Sequence, residues 1–134
     1  MLVVDTSVAV KFVTEEPGSA RALDLIGVED LVAPDWITIE AASALWAKVQ
    51  RDVISKEHAR RGFEALPAFF SQIHPSLPLF DGAVELSFRL DHPVYDCIFL
   101  ALALRERALL VTADLKFVKA SGRSGFGDRV RLLA

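Results

Sequence analysis

The chain has 134 residues, of which 52% are hydrophobic and 25% charged, with mean hydropathy +0.35 and a formal net charge of −3. That composition suits a single domain over residues 1–134 with a substantial core and excludes a disordered chain. A lone Cys97 excludes an internal disulfide, and no Cys/His spacing around His58, His74 and His92 suggests zinc. The apolar N-terminus is interrupted at Asp5 and Lys11, and no apolar run reaches the ~20 residues of a membrane span, so a cytoplasmic protein is expected.

Residues 2–5, LVVD, read as a short buried strand, because apolar residues follow one another without polar alternation. Thr6 or Ser7 then caps a helix to about Thr14, and Pro17-Gly18-Ser19 separates it from a second helix, Ala20 to about Val28. Leu31-Val32-Ala33 is a second strand. After Pro34, Asp35 caps a long helix to Gln50, and Ser55 opens another that runs to Phe70. Ser71 to Pro78 is loop-like, with a short strand around Ile73, and Phe80 to Leu90 is helical. Pro93 suits a first helical position and begins a helix to Arg107. Ala108 to Thr112 is a strand, Leu115 to Ala120 a short helix, and Val130 to Leu132 a last strand. The glycine-rich segment Ser121–Asp128 lacks the Lys-Ser/Thr of a phosphate loop and receives no nucleotide role.

Strands separated by helices predict an α/β fold with a parallel sheet covered on both faces. Ligands of such sheets bind outside the carboxyl ends of the strands, where Asp5 and Asp114 both stand. Two further acids lie in apolar company. Glu40 is the only charge among residues 36–47, and Asp96 the only one among 93–104, a helix apolar nearly all round and therefore buried. Asp96 alone has an ordinary explanation, since acids favour the first helical turn. Several carboxylates gathered in a semi-buried place either bind protons or bind a cation. Oxygen ligands without a cysteine or histidine suit Mg²⁺ or Mn²⁺, the equipment of phosphoryl-transfer enzymes. Thr6, Ser7 and Thr112 stand beside the acids, available to orient them.

The succession VVDTS, PDWITIEAASALW, HPVYDCIFLALAL and LLVTADLKF resembles the PIN-domain nucleases, and more narrowly the VapC-type ribonuclease toxins of prokaryotic toxin–antitoxin pairs. The resemblance implies a three-layer α/β/α fold with a parallel sheet of four to five strands. It implies a catalytic site of Asp5, Glu40, Asp96 and Asp114, in which Asp5, Asp96 and Asp114 hold Mg²⁺ or Mn²⁺ and Thr6, Ser7 and Thr112 lend support. The implied reaction is endonucleolytic hydrolysis of RNA, leaving a 3′ hydroxyl and a 5′ phosphate. Some relatives carry a further acid after the last aspartate; here Leu115, Lys116 and Phe117 follow, which argues against a second tightly held metal. A homodimer is also implied, with a small antitoxin whose tail lies in a groove between helices and places a basic residue in the acidic site. Val8, Phe12 and Val13 are candidates to line that groove, although at least two of them suit the core better.

Charge is unevenly spread. Residues 1–104 carry 8 Lys/Arg against 15 Asp/Glu, and residues 105–134 carry 7 against 3, which allows a basic surface near the C-terminus. Lys11, Lys48, Arg51, Arg60, Arg61 and Lys116 are the candidates for gripping phosphates. Other readings fit less well. A haloacid-dehalogenase-type phosphatase wants an acid where Ser7 stands, and a receiver domain wants an acidic pair before its first strand aspartate. A non-catalytic PIN domain would not need acids at all four positions. A PIN nuclease of RNA maturation or DNA cleavage has the same residues as a toxin.

Overall fold

Leu2, Val3 and Val4 are all buried, as an unbroken apolar triplet must be, and belong at the centre of a sheet covered on both faces. In the computed structural model, which describes residues 1–134, they form β1 (Leu2–Val4) in the middle of a five-stranded sheet. Its neighbours are β2 (Leu31–Pro34) and β4 (Leu109–Thr112), with β3 (Gln72–His74) and β5 (Val130–Leu132) at the edges, and every pairing is parallel.

Seven α-helices make the crossovers. Helices α1 (Thr6–Val13) and α2 (Ser19–Leu23) join β1 to β2, and α3 (Trp36–Gln50) and α4 (Lys56–Ala65) join β2 to β3. From β3 the chain returns through α5 (Phe80–Leu90) and α6 (Val94–Glu106) to β4, and α7 (Leu115–Arg123) leads to β5. Right-handed crossovers put the first four helices on one face and the last three on the other, completing a three-layer α/β/α sandwich. The packing follows suit: α1 lies against α2 and α3, and α5 against α6 and α7. Because the chain leaves β1 toward β2 and comes back on the other side at β4, the strand order reverses between β1 and β4. A crevice opens there, at the carboxyl ends of the two strands.

Helix α6 is the pillar of the second layer. Cys97, Ile98, Phe99, Leu100, Leu102 and Ala103 are all buried, so the absence of an amphipathic stripe in this segment reflects contact on every side. No helix in the chain is long and apolar enough to cross a membrane.

Several boundaries differ from expectation, each for a local reason. The cap of α1 is Asp5 itself, whose side chain accepts from Val8 N, rather than Thr6 or Ser7. Asp35 does not cap α3; its Oδ1 accepts from Ser76 N at 3.0 Å, and Ser76 Oγ in turn accepts from Trp36 N at 2.8 Å. Helix α2 stops at Leu23, and the chain turns at Gly27, in the left-handed region at φ +82°. Helix α4 ends at Ala65 and gives way to a 3-10 turn over Leu66–Phe69, because Pro67 has no N–H to continue the ladder. Helix α7 continues to Arg123, taking the first residues of the glycine-rich segment into its last turn. Val8 and Phe12 are core residues, whereas Val13 is half-buried. Phe12 and Val13 line a surface hollow of about 510 Å³ between α1 and α4.

Phe117 on α7 has 0% exposure and packs its ring against His92, 4.8 Å between centroids. Replacing it with alanine should cost ~3–5 kcal/mol in urea unfolding, and a loss below ~1 kcal/mol would mean that α7 is not docked as described.

Candidate active site

Asp5 ends β1 and caps α1, with extended backbone at φ −90°, ψ −179°. Its carboxylate is 4% exposed. Oδ1 accepts from Ser7 Oγ at 2.6 Å and from Val8 N at 3.3 Å, while Oδ2 accepts from Thr112 Oγ1. Thr112 is the last residue of β4, so one carboxylate bridges the two strands at the reversal. The same hydroxyls hold the loop beyond β4: Ser7 Oγ accepts from Ala113 N at 2.9 Å, and Thr112 Oγ1 from Asp114 N at 3.1 Å. Burial pushes the Asp5 carboxyl up to about 6 from an ordinary 3.8; the Ser7 and Thr112 hydrogen bonds oppose the rise and the charge of Asp96 adds to it.

Asp114 caps α7. Its Oδ1 accepts from Lys116 N at 2.9 Å and Phe117 N at 3.3 Å, and Oδ2 has no protein partner. Asp96 lies in the first turn of α6 but makes no cap bond to its own backbone. It is instead 2.5 Å from His92 Nε2, through Oδ2. Ligand atoms of His92, Asp96 and Asp114 all lie within 4.8 Å of one another. Glu40 closes the group from α3, its Oε1 accepting from Thr6 Oγ1 at 2.8 Å. Its carboxyl is raised by burial and then by the charge of Asp96, against the hydrogen bond from Thr6. Burial and the same Asp96 charge push the Cys97 thiol up to about 11.

The four acids named from the sequence, with Thr6, Ser7 and Thr112, therefore come together at one end of the sheet. His92 is the residue that sequence reasoning missed. Asp91 turns in the left-handed region at φ +51° and Pro93 follows in extended backbone, folding the imidazole back over the first turn of α6. The His-x-x-x-Asp spacing was the available signal, but it spans a turn and not a helix, so helical periodicity did not expose it. The cluster fits a divalent cation. Burial and the charge of Asp96 raise the carboxyls of Asp5 and Glu40, which a cation relieves, and a mainly oxygen donor set with one imidazole at its edge suits Mg²⁺ or Mn²⁺.

The basic residues divide. Lys11, Lys48 and Arg51 line a hollow of about 300 Å³ together with Thr6 and Ser7, beside the acids. Glu16 is 3.1 Å from Lys48 and 3.9 Å from Lys11, while Arg51 enters no ion pair. Arg60 lies in another hollow between α3 and α4, Arg61 pairs with Glu57 within α4, and Lys116 is exposed beside Asp114. Most of the basic C-terminal residues stay exposed, and only Arg129 is partly buried. Arg129 donates to the carbonyls of Ala103 and Ala108, and Arg105 reaches His74 Nδ1 at 3.2 Å.

Residues 2–123 match the sequence profile of the PIN domain. The chain is 34% identical over 116 residues to ribonuclease VapC9 of Mycobacterium tuberculosis, covering 87% of both proteins. It is 32% identical over 123 residues to ribonuclease VapC1 of the same organism, covering 90% of both. Its fold superposes on the crystal structure of VapBC2 from Rickettsia felis bound to a DNA fragment from their promoter, with TM-score 0.71, 16% identity, and coverage of 99% of this chain and 98% of the other.

The Asp5 carboxyl predicts a pH dependence in chelator. Its folded value of about 6 exceeds the ordinary 3.8, so between those pH values the native state binds more protons than the unfolded one, and stability falls as pH rises through that window. Asp5→Asn removes this term. Measured with EDTA, the stability of the variant relative to wild type should improve by up to about 3 kcal/mol between pH 4 and pH 7. A difference independent of pH would mean that Asp5 is not buried as a charge.

Proposed function

The chain belongs to the PIN domain family, and from that membership we propose a divalent-metal-dependent endoribonuclease that acts as the toxin of a type II toxin–antitoxin pair. The observation that carries this reading is the convergence of Asp5, Asp96, Asp114 and Glu40 on the crevice where the strand order reverses. The ribonuclease relatives at 32–34% identity support the same activity. Residues 1–134 are read as one PIN domain, since β5 lies beyond the matched segment yet pairs with β4 in the same sheet.

In this reading Asp5, Asp96 and Asp114 hold Mg²⁺ or Mn²⁺. The bound ion supplies a water of lowered pKa and offsets negative charge on the phosphate oxygens. Ser7 and Thr112 keep the Asp5 carboxylate in one orientation, and His92 does the same for Asp96 while leaving its Oδ1 free. Asp114 offers Oδ2. Glu40 keeps Oε2 free of Thr6 and, raised above the ordinary carboxylate range, is suited to take the proton of the attacking water. Water oxygen bonds to phosphorus, the bond from phosphorus to O3′ breaks, and the 3′ oxygen leaves with a proton. Lys11, Lys48 and Arg51 grip flanking phosphates in the adjoining hollow. The protein works in the cytoplasm as a homodimer, and a cognate antitoxin occupies the hollow lined by Phe12 and Val13 while a basic residue of its tail enters the acid cluster.

If the acids form one site, their losses do not add. Asp5→Asn and Asp96→Asn should each lower RNA cleavage about a thousandfold, ~4 kcal/mol, and the double variant should be little worse than either. Circular dichroism must show each protein folded. A folded, fully active Asp96→Asn protein would remove Asp96 from the site.

Binding a cation to the folded state adds stability, so ~10 mM Mn²⁺ should raise the melting temperature over that in EDTA. Identical melting in the two buffers would count against a metal site. Expressed alone, the wild type should arrest bacterial growth and its cognate partner should relieve the arrest. Harmless expression of a protein that still cleaves RNA would favour a nuclease outside a toxin pair.

A further inference from the structure

Tyr95 immediately precedes Asp96 on α6, in a helix whose next residues, Cys97 to Leu100, are buried. It is nevertheless 52% exposed, and it is the only tyrosine of the chain. One face of its ring is covered. Trp36 stacks on it nearly parallel, at 5.8 Å between centroids and 12° between planes. Trp36 is itself wedged edge-on by Phe80 at 6.4 Å and 87°, and its backbone N–H is tied to Ser76. The stack therefore joins the first turns of α3 and α6, both of which begin at the carboxyl-end side of the sheet. Trp36 precedes Glu40 by one helical turn, and its indole N–H lies near enough to that carboxylate to lower its pKa without making a hydrogen bond of ordinary geometry.

An isolated exposed aromatic needs no explanation. A tyrosine backed by a fixed tryptophan, next to a metal-ligand candidate and open on its other face, is a preformed platform. Its partner should be flat and aromatic. Bases of single-stranded RNA have that shape, and stacking recognises any of them without a hydrogen-bond code.

We propose that the open face of Tyr95, supported by the Trp36 ring, is a stacking subsite for an unpaired RNA base beside the scissile phosphodiester. The subsite rests on the ribonuclease reading above. It favours single-stranded over duplex RNA, since a base must leave its own stack to reach the ring.

The test is a steady-state cleavage series on a single-stranded oligoribonucleotide, intact or carrying one abasic residue at each position across the cleaved bond. Tyr95→Leu should raise KM for the intact oligomer roughly tenfold with kcat little changed, because stacking acts in ground and transition states alike. Tyr95→Phe should keep most of the affinity, which a role for the hydroxyl would not predict. Calorimetry should show the same Mn²⁺ affinity in all three proteins. In wild type, one abasic position next to the cleaved bond should cost the same factor as Tyr95→Leu, and that position should cost Tyr95→Leu nothing further.

Equal KM for wild type and Tyr95→Leu, or an abasic penalty undiminished in the variant, overturns the subsite while leaving the nuclease in place. Should Tyr95→Leu fail to fold, the absence of any position-specific abasic penalty in wild type overturns it instead. A wild type that cleaves no RNA with Mg²⁺ or Mn²⁺ overturns the ribonuclease reading, and the subsite falls with it.

Discussion

The carboxylate of Asp5 is the constraint on which the rest of the structure turns. It is buried at the junction of β1 and β4, where a charge is costly, and is tolerated because Ser7, Thr112 and the Val8 amide donate to it. Those bonds do more than solvate one residue. The Ser7 and Thr112 hydroxyls pass on to the amides of Ala113 and Asp114, so the loop after β4 is shaped by the group it supports. A single cluster thus fixes the crevice between the two halves of the sheet and aims Asp114 into it. Even with three donors the carboxyl stays well above its ordinary range, the sign of a site held short of its own stability optimum.

Asp96 is solved differently. Helix α6 is apolar along its middle, so a charge could be carried only near its ends, and in the first turn the usual backbone cap is replaced by His92. The imidazole is wedged by Phe117 from α7, the helix that Asp114 caps. Two carboxylates of the cluster are therefore positioned through one contact between helices of the second layer, whereas Asp5 and Glu40 are tied to the first helix through Ser7 and Thr6. The site is assembled across the sheet from both layers, and neither layer contains it alone.

The surroundings of the acids follow the same division. Cations lie on the α1–α3 side, in Lys11, Lys48 and Arg51, and the Trp36–Tyr95 stack connects α3 to α6. The basic C-terminal residues, which by count promised a basic surface, are exposed except for Arg129, which braces the end of helix α6 and its exit into β4. Net charge along a sequence says how many cations there are, and the fold decides which of them face solvent.

Much was legible in the order of residues. Apolar triplets without alternation mark strands buried on both faces, prolines and glycines punctuate them, and a lone acid in an apolar helix announces a demanding environment; Asp5, Glu40, Asp96 and Asp114 emerge from those local rules. Local rules also explain what was misplaced. The end of α4 two residues before Pro67 and the stop of α2 before Gly27 depend on single backbone positions whose weight is set by competing contacts. The tertiary structure alone decided the rest: that Asp35 would give its bond to Ser76, that His92 would fold back on Asp96, and that Tyr95 would find Trp36 from another helix. Periodicity reports which side of an element is apolar, because that depends on the residue and its immediate neighbours. Which polar group answers a given carboxylate depends on the meeting of segments far apart in the chain, and that is settled only when the sheet closes and burial makes every unpaired group costly.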